Sequence, residues 1–138
     1  MQFDHVGLSV ADLDAQASWY AAAFGLEQST PFAIESLELR GTFLVAPGGL
    51  AIELLERRGS RPGIQARDQA EALLTRGYGH LCLRVDDVDA LHARLLDHGA
   101  TERMPPGPAP EPGVRMSFVG DPEGNLIELL DRGGPVGS

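Results

Sequence analysis

Two stretches of the chain, residues 3–10 and 79–85, alternate apolar and polar positions and are rich in Val and Leu, the pattern of a half-buried strand. Each is followed by an aspartate, Asp12 or Asp87, placed as a helix N-cap. Apolar residues then recur at helical spacing: Leu13, Ala17, Tyr20, Ala21 and Phe24 in the first case, Val88, Leu91, Leu95 and Leu96 in the second. Gly25 and Gly99 stand where those helices end. A Pro-x-Gly turn and a short apolar strand follow, at 50–56 and at 125–131. The pattern divides the chain into a first module (1–57), a linker (58–78) with a helix expected over 65–76, a second module (79–132) and a frayed tail (133–138). The proline-rich run from Met104 to Gly113 is incompatible with a helix or a central strand and is expected to be a stiff loop, a candidate active-site flap.

The modules are copies of one unit. Shifting the chain by 75 residues lays His5-Val6-Gly7-Leu8-Ser9-Val10 on His80-Leu81-Cys82-Leu83-Arg84-Val85, and Ile52-Glu53-Leu54-Leu55 on Ile127-Glu128-Leu129-Leu130. Twelve of 32 pairs over 5–26 and 47–56 are identical, against roughly two or three expected by chance for a non-repeating chain. Arg40 and Arg115 keep this offset, as do Phe43 and Phe118.

Strand parity says which side chains share a face. Val6, Leu8 and Val10 pack on one side, which turns His5, Gly7 and Ser9 to the other; Leu81, Leu83 and Val85 do the same for His80, Cys82 and Arg84. Glu53 and Glu128 alternate with core residues on the last strand of each module. Each half therefore offers one His and one Glu, and pairing of the halves would gather all four. Two carboxylates among apolar neighbours repel each other and lose hydration, and a divalent cation removes both costs. Two imidazoles and two carboxylates suit Zn, Ni, Co, Mn or Fe(II) better than Ca or Mg.

Charge and composition narrow the partners. A net charge of −9 argues against nucleic acid or an anionic membrane surface. All eleven basic residues are arginine, which excludes Schiff-base chemistry and leaves guanidinium forks to hold an anionic substrate. Arg84, Ser9 and Arg115 are the candidate substrate-binding residues. One cysteine, Cys82, allows no intrachain disulfide and suits a reducing cytoplasm; it is expected to be a small buried hydrophobe rather than a nucleophile. No signal peptide or membrane span is read from the sequence. His92 and His98 are expected in solvent on the second helix, and Trp19 and Tyr20 in packing.

At Asp4-His5-Val6-Gly7-Leu8, Trp19-Tyr20 before Phe24-Gly25-Leu26, Gly79-His80-Leu81 and Gly120-Asp121-Pro122-Glu123-Gly124-Asn125-Leu126-Ile127-Glu128, the chain resembles the vicinal oxygen chelate superfamily, over roughly residues 3–132. The superfamily includes glyoxalase I, methylmalonyl-CoA epimerase, extradiol dioxygenases and bleomycin-binding proteins. The resemblance implies an α+β fold, two tandem βαβββ modules whose sheets form an open cup around a metal site, and a homodimer acting on a small molecule. The order His, Glu, His, Glu is most similar to metal-dependent glyoxalase I and implies His5, Glu53, His80 and Glu128 as ligands. One carboxylate would be the general base, Glu128 before Glu53, and the metal would stabilise an enediolate. A glutathione pocket cannot be matched residue by residue; Asn125 is the only asparagine.

Three other functions compete. An acyl-CoA epimerase would use the same acid–base logic. An Fe(II) dioxygenase could draw its facial triad from two His and one Glu, but the fourth carboxylate would fill a position oxygen needs. A metal-free binding protein for a drug or natural product would tend to lose the ligand residues, and here all four are present.

Overall fold

The structure is a computed structural model and describes residues 1–136. The chain forms two compact units, Met1–Pro62 and the residues from Gly63 onward. Each is a βαβββ module. Among the described residues no helix is long and apolar enough to cross a membrane.

The first unit runs β1 (Val6–Val10), α1 (Leu13–Phe24), β2 (Glu27–Gln28), β3 (Phe32–Ile34), a 3-10 turn (Glu35–Leu37), β4 (Leu39–Val45) and β5 (Ala51–Arg57). Its sheet has the order β1-β5-β4-β2, with β3 also paired to β4. Pro31, which has no N–H to donate, stands in the break between β2 and β3. The second unit runs α2 (Gln69–Ala72), β6 (Leu81–Arg84), α3 (Val88–Asp97), β7 (Thr101–Pro108), β8 (Arg115–Gly120) and β9 (Leu126–Asp131), with sheet order β6-β9-β8-β7. In both units the first strand lies parallel to the last, and the other pairings are antiparallel.

Asp12 and Asp87 cap the helices as expected, accepting from the backbone N–H of Ala15 and Ala90. Gly25 ends α1 at φ 67°, a left-handed conformation that favours glycine. One face of each sheet packs on its helix: Leu44, Ile52 and Leu54 with Leu13, Ala17 and Tyr20, and Val119, Ile127 and Leu129 with Val88 and Leu95, all buried. Tyr20 is thus a packing residue, stacked with Phe24 and met edge-on by Trp19.

The repeated arginines tie helix to sheet. Arg40 donates to Glu56 and to Asp14 of α1, and Arg115 donates to Asp89 of α3 at 2.5 and 2.7 Å. Asp14 and Asp89 are themselves repeat partners. Glu56 also accepts from the N–H of Leu13 at 2.8 Å, satisfying a donor at the helix start. Arg40 first, and this backbone bond second, hold the Glu56 carboxyl below the usual carboxylate range. A depressed carboxyl stabilises the fold above its unfolded value, and the contribution fades as pH falls through the folded value. Glu56→Gln should therefore cost about 1 kcal/mol at neutral pH, with much of the Arg40 attraction screened by solvent. Denaturant titrations should show that cost vanish in acid, where wild type and variant converge.

Three expectations are corrected here. The linker helix is only Gln69–Ala72: it starts where the Asp68 side chain caps the Glu71 N–H, and Ala66 and Ala72 instead pack with Leu126 beneath Ile64. The stretch from Met104 to Pro108 is strand, not loop. It is the edge strand, where missing N–H groups are tolerated, and the register shifts around Pro105 and Pro106. His92 is buried at 3% exposure, not solvated, with its Nε2 3.0 Å from Glu102 of β7. It occupies the core-facing stripe Val88, His92, Leu95.

Candidate metal centre

The same arrangement of side chains is built on the face of each sheet away from the helix. In the first unit His5 directly precedes β1, and Glu53 sits on β5, paired in register with Gly7 and Phe43. His5 Nε2 lies 3.4 Å from Glu53 Oε2, and Phe43 meets the imidazole edge-on at 5.3 Å. In the second unit His80 precedes β6, and Glu128 sits on β9 opposite Cys82 and Phe118. His80 Nε2 lies 3.0 Å from Glu128 Oε2, and Phe118 again meets the ring edge-on at 5.3 Å. The offset shared by Phe43 and Phe118 thus acquires a structural reason: each ring walls one side of a His–Glu pair.

The carboxylates are largely covered, Glu53 at 20% and Glu128 at 13% side-chain exposure. Gly41 shapes the first face. A Cβ there would run into the Phe32 ring and lie 3.0 Å from the Leu54 carbonyl oxygen. Its absence lets Phe32 lie across β4 against Phe43. Gly41→Ala should cost about 1–3 kcal/mol through this overpacking, measured as a fall in the unfolding midpoint with the helical signal unchanged.

Each imidazole is held at its other nitrogen, a feature not read from the sequence. His5 Nδ1 is 2.6 Å from Asp4 Oδ1, and His80 Nδ1 is 3.0 Å from the Gln69 amide nitrogen. With its Nδ1–H donated to Asp4, neutral His5 aims the Nε2 lone pair at a carboxylate oxygen. That opposition is relieved by a proton or by a cation, and the His5 pKa is raised, chiefly by the Asp4 hydrogen bond and further by Glu53. At His80, Gln69 Oε1 is buried and has no hydrogen-bond partner. Half a turn of the amide, which leaves its shape unchanged, would present that oxygen to Nδ1–H and free Nε2 as at His5. Both donor pairs therefore suit a divalent cation in ligand type and in the hydrogen bonding behind the ligands. Among the described residues, no group of three or more His, Cys, Asp or Glu side chains is close enough to hold a metal ion. Each module presents one His–Glu pair, two potential donors.

The other candidates divide. Ser9 lies on β1 on the same face as Glu53 and is exposed. Arg84 is exposed and donates to the Gly134 carbonyl at 2.7 Å. Arg115 is corrected: its place on β8 turns it to the helix side, where Asp89 holds it, whereas Phe118 and Glu128 share the opposite face. Cys82 is exposed rather than buried. Desolvation by its neighbours and the Glu128 carboxylate push its thiol up to about 12, so it is not a thiolate nucleophile at neutral pH. Asn125 serves the turn before β9. Buried Asp121 accepts from the N–H groups of Glu123 and Asn125 and from the Asn125 amide.

Known proteins share this architecture. Residues 2–129 match the family described as Glyoxalase/Bleomycin resistance protein/Dioxygenase superfamily. A lactoylglutathione lyase of Arabidopsis thaliana is 27% identical over 96% of the chain, which spans only 44% of that relative's length. The chain spans about half of several such relatives. A probable lactoylglutathione lyase of Vibrio cholerae is 28% identical over 93% of the chain and 88% of its own length. Among solved structures, the trypanothione-dependent glyoxalase I of Leishmania major aligns with 27% identity and a TM-score of 0.68, over 95% of this chain and 86% of that one. A domain from Frankia sp. EAN1pec aligns at 25% identity and a TM-score of 0.77, over 100% and 95%.

Proposed function

The chain belongs to the Glyoxalase/Bleomycin resistance protein/Dioxygenase superfamily, and we propose that within it this protein is a metal-dependent lyase or isomerase of the glyoxalase type. His5, Glu53, His80 and Glu128 are assigned as the ligands of one divalent ion of the Zn, Ni, Co, Mn or Fe class. The observation that carries this reading is the duplication of one geometry: in each module an imidazole Nε2 faces a covered carboxylate, with Phe43 or Phe118 beside it. One such pair has too few donors for a tightly held ion. The reading therefore requires two modules, of one chain or of two, to bring their pairs together.

When bound, the ion supplies Lewis-acid stabilisation of the negative charge that develops on adjacent substrate oxygens as a neighbouring C–H is deprotonated. The chain's own residues move the proton. Glu128 is the general base, taking the proton from one carbon and returning it to the next. Its lower exposure, between Phe118 and Cys82, favours it over Glu53 by keeping water from the carboxylate. Asp4 and Gln69 hold the imidazoles in place, and Ser9 and Arg84 are the residues on these faces assigned to the substrate.

The names of the relatives point to the hemithioacetal of methylglyoxal and a thiol as the substrate to test first. The expected result is turnover that is abolished by a chelator and restored by a divalent ion. Absence of turnover with every loaded metal would overturn the glyoxalase reading.

A further inference from the structure

The two His–Glu pairs are duplicated, but what stands behind each imidazole is not. His5 Nδ1 faces Asp4 Oδ1 at 2.6 Å, and the Asp4 side chain is 92% exposed. An ionised carboxylate only accepts hydrogen bonds, so it holds the proton of a neutral His5 on Nδ1 and leaves Nε2 a bare lone pair. The repeat partner of Asp4 is Gly79, which has no side chain to offer. The second module draws its support from the linker instead. Gln69, the first residue of α2, has no counterpart in the repeat, and its amide nitrogen lies 3.0 Å from His80 Nδ1. The Asp68 cap fixes the start of this helix, and Ala72 at its end packs with Ala66 and Leu126.

The distances to the carboxylates follow this difference. A donor at Nδ1 makes that nitrogen the acceptor, so the proton of a neutral His80 sits on Nε2, aimed at Glu128 Oε2. The separation there is 3.0 Å, that of an ordinary hydrogen bond. At His5 the proton is on the far side of the ring and a lone pair faces Glu53, and the separation is longer, 3.4 Å. One half thus presents Nε2 with its electron pair free, and the other presents it capped by a proton. The amide is not confined to this role. It carries a donor and an acceptor, and its Oε1 is buried without a partner, so no bond of that oxygen fixes its orientation. A half turn would bring Oε1 to Nδ1, favour the proton there and free Nε2, with no change of net charge.

We propose that Gln69 is a positioning residue that sets the tautomer of His80. It holds the ring with Nε2–H on Glu128, and its amide turns over when Nε2 is to ligate a divalent ion. Asp4 keeps His5 in the ligand tautomer throughout. The first module is therefore the preset half of the centre, and the second is the half that must be switched, through a linker residue outside the repeat. The switching step rests on the metal-centre reading above; the unlike tautomers of the two imidazoles do not.

The test is nitrogen NMR of the imidazole rings at about pH 8.5, where imidazole is ordinarily neutral, first after dialysis against a chelator and then with zinc. The expected result is Nδ1–H at His5 and Nε2–H at His80 without zinc, and Nδ1–H at both with zinc. Nδ1–H at His80 before zinc is added, or Nε2–H at His5, overturns the proposal. Gln69→Glu, whose ionised carboxylate can only accept, should move His80 to Nδ1–H in the chelator-treated protein. It should also tighten zinc binding by about three- to tenfold, read by competition with a chromophoric chelator, whereas Gln69→Leu and Asp4→Asn should each weaken it by about tenfold. An unchanged His80 tautomer in Gln69→Glu, or unchanged zinc affinity in both Gln69 variants, overturns the role of Gln69. Absence of zinc uptake by wild type would sink the metal reading and the switching step with it, while the spectrum without zinc still decides the tautomers.

Discussion

Glu128→Gln should leave a folded protein that has lost turnover by about a thousandfold, within the range expected when a positioned general base is removed. Gln keeps the length and shape of the side chain, so the packing beside Phe118 and the strand pairing of β9 are retained. What disappears is the group that accepts the proton and one of the two carboxylate charges among the four assigned ligands. The measurement is turnover of the hemithioacetal at saturating metal, with circular dichroism and the unfolding midpoint as controls on the fold. Full activity in this variant would refute the role assigned to Glu128. Glu53→Gln provides the comparison between the two halves: the assignment of the base requires the Glu128 variant to be the more impaired in kcat.

The neighbouring residue should give the opposite result. Leu129 follows Glu128 on β9 but faces α3, and it is fully buried on a strand flanked by β6 and β8. Leu129→Ala removes buried methyl groups and leaves a cavity that the paired strands cannot collapse around. The expected cost is about 3–4 kcal/mol, a depression of the unfolding midpoint by roughly 10–15 °C for a chain of this size. Denaturant titration at neutral pH reads it directly. A loss below about 1 kcal/mol would mean that the β9 core is looser than its burial implies. Two adjacent residues on opposite faces thereby separate chemistry from stability.

Much of this was legible in the sequence because it is carried by local periodicity and by duplication. Parity placed His5 with Glu53, and His80 with Glu128, on the faces where the structure has them. The caps at Asp12 and Asp87 followed from residue type alone. Where the reading failed, the signal was non-local or one rule was applied too broadly. Proline excludes a central strand, yet β7 is an edge, and only the sheet order reveals that. His92 could have been placed, since it shares a helical stripe with Val88 and Leu95. The short α2 was also readable, from Asp68 as cap with Glu71 three residues on. Arg115 kept its repeat offset, but its meaning depended on which face of β8 it takes, and no motif fixed that parity beforehand. Asp4 and Gln69 were invisible for a plainer reason: their roles depend on what lies next to them in space.

The central claim is that the duplicated His–Glu pairs exist to hold a divalent ion, two pairs to each ion and so one ion per chain. It is tested most directly by elemental analysis of protein purified to homogeneity without added metal. The account predicts close to one equivalent of a divalent transition metal per chain, reduced sharply in His5→Ala and His80→Ala variants that remain folded. Complete absence of metal from pure, folded protein, with no uptake on equilibrium titration, would contradict it.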